Sequence, residues 1–234
     1  MKQIIYILFT FCICVHSQNI IINGNFEDYI ECPDNLGELN MCRNVTNPNI
    51  FTTPDYLNFF CQKKKVDYRP YILFDTSPHS GNAYIGLVSR TELAYSYQEY
   101  ALLEFDSLLI GGRKYELNFY VKLLNQKYFQ NVFDILFTEK RKFNTRLVKG
   151  YAIIDEPNVT SICKQGGYID TLHWEKVTAQ YVAKGNEKYL LVGLNYGTLL
   201  KTNYSSKKKY IFNSDSKDNI CYYYFDDFEL KLID

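Results

Sequence analysis

Between Tyr115 and Leu123 the chain alternates with a period of two. Tyr115, Leu117, Phe119, Val121 and Leu123 fall on one side; Glu116, Asn118, Tyr120 and Lys122 fall on the other. That is the signature of a strand with one face in a core and one toward water. Gly111-Gly112 supplies the turn that leads into it. The same logic predicts strands over residues 20–23, 83–88, 97–105, 132–138, 175–182, 189–194 and 222–232. Lys184-Gly185-Asn186-Glu187 reads as a hairpin connection between two of them. No stretch carries a helical stripe. Many short strands separated by turn signals predict an all-β fold, an antiparallel β-sandwich of jelly-roll type.

The connections are uneven. Residues 28–80, 155–172 and 195–220 form long polar excursions, and loops of that length in a compact domain bind something or are stapled down. No repeat and no linker divides the chain, so one domain is expected over 18–234.

Residues 1–17 read as a secretory signal peptide. Lys2 opens it, an apolar run from Ile4 to Val15 follows, and Val15-His16-Ser17 offers a cleavage site. The run is too short to span a bilayer and no later stretch replaces it, so no transmembrane segment is expected. The reading is therefore an exported protein: periplasmic, on the outer-membrane surface, or secreted. Lys+Arg and Asp+Glu balance at 26 each, which leaves no basic field to attract nucleic acid. Aromatics make up 17% of the chain, with 22 Tyr and 16 Phe, and favour β structure. Of the 7 cysteines, Cys12 and Cys14 leave with the signal. Cys32, Cys42, Cys61, Cys163 and Cys221 remain, an odd set in a compartment that permits disulfides. Cys32 with Cys61 is the first pairing to expect, and Cys163 with Cys221 the second; the sequence alone fixes neither.

Two segments near opposite ends set carboxylates beside strand-forming aromatics: Asn23-Gly24-Asn25-Phe26-Glu27-Asp28 and Tyr224-Phe225-Asp226-Asp227-Phe228-Glu229-Leu230. A buried carboxylate is costly unless it is paired or bound to a metal. Acids at the rim of a sheet from both ends point to a shared cation, and calcium is the usual oxygen-liganded ion. Phe228, Leu230 and Leu232 read as inward, and Asp226 shares their parity; Asp227 then faces outward. The competing reading has two rim carboxylates bonded to backbone amides.

These two segments, together with Pro78-His79-Ser80-Gly81-Asn82-Ala83-Tyr84-Ile85-Gly86, resemble the galactose-binding-like jelly rolls that include many carbohydrate-binding modules. More narrowly, Cys32-Pro33, the stretch from Pro54-Asp55-Tyr56 to Cys61, Gly111-Gly112-Arg113-Lys114-Tyr115 and His173-Trp174-Glu175-Lys176-Val177 are similar to a group of exported envelope proteins of Gram-negative bacteria. In that group the jelly roll often precedes a peptidoglycan-binding domain, whereas this chain stops at Asp234. The resemblance implies a structural calcium held by Glu27 and Asp226, with carbonyls of Asn25 and Ser80 completing the shell.

A glycan site would need flat aromatic rings edged by polar groups. Trp174 reads as a packing residue, and Tyr95, Tyr97 and Tyr100 either line a cleft or fill a tyrosine-rich sandwich. No catalytic residue stands out. His79 and His173 are the histidines left after the signal, and no Gly-x-Ser-x-Gly elbow is present. Adjacent Asp226 and Asp227 should point to opposite faces and fail to flank one bond. Lys63-Lys64-Lys65 and Lys207-Lys208-Lys209 read as solvated loop tips. The expectation is a non-catalytic, carbohydrate-binding-like module of the cell envelope, its partner a glycan or another envelope component. The alternatives are a protein–protein assembly module held by a protein partner and, more remotely, a glycan hydrolase.

Overall fold

The computed structural model describes residues 18–64, 77–91, 98–124, 129–148, 151–154, 159–193 and 220–234. Among the described residues twelve strands run in the order β1 (Val45–Thr46), β2 (Asp55–Asn58), β3 (Ala83–Thr91), β4 (Ala101–Glu104), β5 (Lys114–Leu123), β6 (Val132–Thr138), β7 (Thr145–Val148), β8 (Tyr151–Ile154), β9 (Thr160–Cys163), β10 (Glu175–Val182), β11 (Tyr189–Val192) and β12 (Ile220–Leu232). One short helix, α1 (Phe59–Lys64), follows β2.

Two five-stranded antiparallel sheets face each other, ordered β1-β4-β11-β6-β9 and β10-β5-β12-β3-β2, and β7 with β8 forms a separate two-stranded ribbon. This is the antiparallel β-sandwich that the alternation predicts. Tyr115, Leu117, Phe119, Val121 and Leu123 of β5 all enter the core between the sheets, where they meet Ile135 and Phe137 of β6 and Leu190 and Val192 of β11. Each outer face carries its own apolar cluster. Tyr100, Leu102, Leu136, Ile154 and Leu191 gather outside the first sheet. Leu57, Tyr84, Tyr222 and Tyr224 gather outside the second, with Trp174 packed against them. Burying both sides of a strand explains why β6 is buried at every position and escapes simple alternation.

The two ends of the described chain lie side by side. Ile20 N–H donates to Leu230 O at 3.0 Å, and Phe228 N–H donates to Gly24 O at 2.8 Å. The Asn19 side chain completes the seam, donating to Phe228 O and accepting from Leu230 N–H. Gly24 is required here: a Cβ on it would sit 2.1 Å from Phe228 O.

The structure departs from expectation at several points. Residues 20–23 form only an isolated bridge, Ile21 with Phe105, and a turn. The strands β1, β2, β7, β8 and β9 carry no alternation long enough to read. Lys184-Gly185-Asn186-Glu187 is not a hairpin: it joins β10 of one sheet to β11 of the other. Buried Glu187 holds that arch by accepting from Lys184 N–H, Gly185 N–H and Tyr181 Oη. The Cys32–Cys61 disulfide is present. Cys163 and Cys221 are not joined, because Cys221 is buried in the core on β12 while Cys163 is exposed on the other sheet. Tyr95, Tyr97, Lys65, Lys207-Lys208-Lys209 and the signal segment lie outside the described residues.

Candidate functional site

The Asn-Gly-x-Phe-Glu motif folds as a tight turn in which Phe26 N–H donates to Asn23 O. Asn23 and Phe26 both take positive φ, 54° and 60°. Asn tolerates that region; Phe26 is held there by its surroundings. Its ring is fully buried edge-on to Phe228, and its carbonyl accepts from Tyr56 Oη at 3.0 Å. This fixes Glu27 at the rim of the second sheet. Glu27 Oε1 accepts from Asn82 N–H at 2.6 Å and Ala83 N–H at 2.7 Å.

The last strand supplies the other grip. A bulge between Asp226 and Glu229 interrupts the pairing of β12 with β5, and Asp227 there takes φ 49°. The bulge resets parity: Tyr223 and Phe225 point into the core before it, Phe228 and Leu230 after it. Asp226 therefore does not share a face with Phe228. It lies on the outer side, fully buried, opposite Tyr120 of β5. Asp226 Oδ2 accepts from His79 N–H at 2.8 Å and Ser80 N–H at 3.2 Å. Asp227 is not turned away. Its carboxylate meets His79 Nδ1 at 2.5 Å and accepts from Ser80 Oγ at 2.9 Å. Three acids thus converge on the turn that leads into β3. Burial first, and then the neighbouring Asp227 charge, push the Asp226 carboxyl up to about 8.

Of the expected calcium ligands, Glu27, Asp226 and Ser80 meet around this turn, and Asn25 sits exposed just before it in the first motif. Among the described residues no three acidic, histidine or cysteine side chains form a metal cluster by themselves. The donor set is nevertheless one of hard oxygens, with a buried carboxyl crowded by a second acid. The partners that Glu27 and Asp226 take at this turn are chiefly backbone amides, which is the arrangement of the competing reading.

Beside the turn lies a groove of about 480 Å³, lined by residues from five segments. Asn19, Asn23, Gly24 and Asn25 form one wall, His79 and Asp227 one end, and Asn118, Tyr120, Lys176 and Glu229 the floor. The floor is the outer face of the second sheet: Lys176 pairs with Tyr120 and Thr178 with Asn118 across β10 and β5, while Glu229 faces Asn118 from β12. The His79 ring stacks on Tyr120 with centroids 3.5 Å apart. Trp174 meets His79 and Tyr84 edge-on and donates from Nε1 to Ser77 O. It is a packing residue, as expected. Tyr100 is buried in the cluster outside the other sheet and lines no open cleft of this kind. Sequence reasoning missed Asn118, Tyr120 and Lys176 as groove residues. The outward parity of β5 was the available signal, but nothing showed that its outward face is a hollow.

No family model matches the chain, and no curated protein matches it. Solved structures do. One is the CBM22-1 xylan-binding domain of Paenibacillus barcinonensis Xyn10C, at 17% identity over 68% of this chain and 78% of that one, TM-score 0.34. Another is one of the cleaved adhesin domains of Lys-gingipain from Porphyromonas gingivalis, at 12% identity over 90% and 96%, TM-score 0.41. A third is the enzymatically active domain of tailspike protein 4 from bacteriophage CBA120, at 12% identity over 92% and 21%, TM-score 0.39. These neighbours are carbohydrate-binding and adhesin domains and the enzymatically active domain of a phage tailspike.

Proposed function

We propose that the chain is a non-catalytic, exported carbohydrate-binding module whose glycan docks in the groove on the outer face of the second sheet. The carrying observation is the groove itself: a stacked His79–Tyr120 pair edged by Asn25, Asn118 and Lys176. Aromatic rings surrounded by polar side chains suit the apolar faces and hydroxyl edges of sugars. A binding role fits better than hydrolysis because the groove's acids are engaged elsewhere. Asp227 bonds His79 and Ser80, and Glu229 pairs with Lys231 Nζ at 2.5 Å. The Cys32–Cys61 disulfide supports export. Among the described residues no helix is long and apolar enough to cross a membrane. Calcium belongs to the proposal as a structural ion at Glu27 and Asp226, with the carbonyls of Asn25 and Ser80. It would hold the turn that forms the groove's end.

A glycan array followed by titration calorimetry tests the reading. Binding of at least one oligosaccharide, lost in His79→Ala and Tyr120→Ala, is expected. No binding to any plant, cell-wall or capsular glycan at millimolar concentration would overturn it.

One observation favours assembly with a protein partner as a second reading. Ile50 and Phe51 stand 87% and 62% exposed at a loop tip. That tip is stiffened by Asn47 Nδ2 donating to Thr52 O and by Phe51 N–H donating to Asn49 Oδ1. Crosslinking and native mass measurement of wild type against Phe51→Ser distinguish this reading.

A further inference from the structure

The groove's lining includes one lysine without a described partner, while several of its side-chain acceptors are already used within the protein. Asn19 Oδ1 takes Ile21 and Leu230 N–H. Asn23 Oδ1 takes Asp28 N–H, and Asn118 Oδ1 takes Thr178 Oγ1. Asp227 takes His79 and Ser80, and Glu229 takes Lys231. The donors of Asn19 and Asn23 are directed to backbone carbonyls as well. What faces the groove without a described partner is Lys176 Nζ, Tyr120 Oη, the Asn25 carboxamide and the second ring nitrogen of His79. All four can donate and three of them can also accept, but Lys176 alone among them brings a full positive charge with three N–H bonds. Lys176 is exposed and stands directly across from Tyr120 on the neighbouring strand.

A carboxylate or sulfate presents acceptors alone and suits a lysine with a phenol beside it. Resting on the reading of this groove as a glycan site, we infer that its ligand is an acidic saccharide. A uronate carboxylate or a sulfate would be seated between Lys176 and Tyr120, with the sugar ring against the His79–Tyr120 stack.

The test titrates the full chain with trigalacturonate and, in parallel, with neutral xylotriose and cellotriose, in low salt and at about 0.5 M salt. The expected result is roughly tenfold or greater preference for the acidic trisaccharide, as one charge-assisted contact supplies. Salt should weaken that preference, and Lys176→Ala should abolish it by weakening acidic binding at least tenfold more than neutral binding. Lys176→Arg should retain most of it. Lys176 is a surface residue, and an unchanged melting temperature verifies folding of both variants. Equal affinity for acidic and neutral sugars, or equal losses for both in Lys176→Ala, overturns the acidic inference and leaves the groove standing. If no saccharide binds, while the glycan array is also blank, the groove reading falls and takes this inference with it.

Discussion

Glu27 and Asp226 grip the two ends of a single turn: Glu27 holds the amides of Asn82 and Ala83, and Asp226 those of His79 and Ser80. The acids come from segments 199 positions apart in the chain and act on a third segment that neither adjoins. Leaving two amides without their carboxylate costs about 1–3 kcal/mol for each unsatisfied group. Glu27→Ala should therefore lower stability by about 2–4 kcal/mol, and Glu27→Gln by less, because the amide oxygen still accepts. If calcium joins this turn, millimolar calcium should raise the wild-type melting temperature, and chelator should reverse the gain. A ligand at 100 times its Kd adds about 2.7 kcal/mol. Thermal melts of wild type, Glu27→Gln and Asp226→Asn with calcium or chelator read this directly. A wild type indifferent to calcium would remove the ion from the account and leave an amide clamp.

Asp55 makes stability depend on pH. It is buried on the outer side of the second sheet, accepting from Tyr222 Oη at 2.5 Å and Gly37 N–H at 2.6 Å. Burial pushes its carboxyl up from 3.8 to about 6, against the downward pull of those two bonds. A folded-state value above the unfolded one means the contribution is full below pH 3.8 and is lost as pH rises through about 6. Asp55→Asn keeps an acceptor for Gly37 and does not titrate. The stability difference between wild type and Asp55→Asn should thus shift toward the variant by about 2–3 kcal/mol between pH 4 and pH 7. Paired denaturation curves across that range check it; parallel pH profiles would contradict it.

Gly86 exists for Tyr222. A Cβ at Gly86 would fall 1.7 Å from the Tyr222 hydroxyl, and β3 pairs with β12 at this point. Tyr222 cannot swing away without leaving Asp55 and the Tyr84–Tyr224 cluster. Gly86→Ala should destabilise by about 2–4 kcal/mol, an overpacking cost joined to a lost buried hydrogen bond. Gly86→Ala with Tyr222→Leu should recover part of that loss, and chemical denaturation of the single and double variants measures the coupling.

These pairs show what the sequence carries and what it does not. The alternation of β5, the clustering of acids at Glu27 and Asp226, and the Cys32–Cys61 staple were all legible, because each is local or carried by a recognisable motif. The facing of Asp226 was not: parity counts back from Phe228, and a one-residue bulge reverses it without any glycine or proline to mark the place. The arch at 184–187 looked like a hairpin because turn chemistry reports a reversal and not which sheet the chain joins next. Asp55 and Tyr222 meet only through β3, so no spacing in the sequence could pair them. Tyr120, Lys176 and Asn118 belong to two strands whose register makes them a floor, and register is a property of the folded sheet.

The Cys32–Cys61 bond closes a loop 29 residues apart in sequence, from the first long excursion to the helix α1. Removing a cross-link of that span should cost about 3–4 kcal/mol by the loop-entropy model. Cys32→Ser with Cys61→Ser should lower the melting temperature by about 6–14 °C for a chain of this size. The same fall should appear when wild type is melted in reductant. A smaller fall would mean that Asn58, which accepts from Cys61 N–H through its side chain, already holds this loop unaided.

Asp227 connects the clamp to the groove. Its carboxylate positions the imidazole of His79 through Nδ1, and that ring is stacked on Tyr120 at the groove's end. Asp227→Asn has one acceptor oxygen where the two bonds used two; if that oxygen keeps Ser80, the NH2 faces His79 Nδ1, so the ring loses its charged anchor while the turn keeps the grips of Glu27 and Asp226. Glycan affinity should fall roughly 3- to 10-fold, the worth of about one positioned hydrogen bond, with a melting temperature within a few degrees of wild type. Tyr120→Phe keeps the stack and removes only the hydroxyl, so it should fall less for a neutral trisaccharide than for an acidic one. Calorimetry on these two variants, beside their melts, separates a residue that shapes the groove from one that merely supports the fold. An Asp227→Asn protein that unfolds outright, or binds as wild type does, would deny the carboxylate that positioning role.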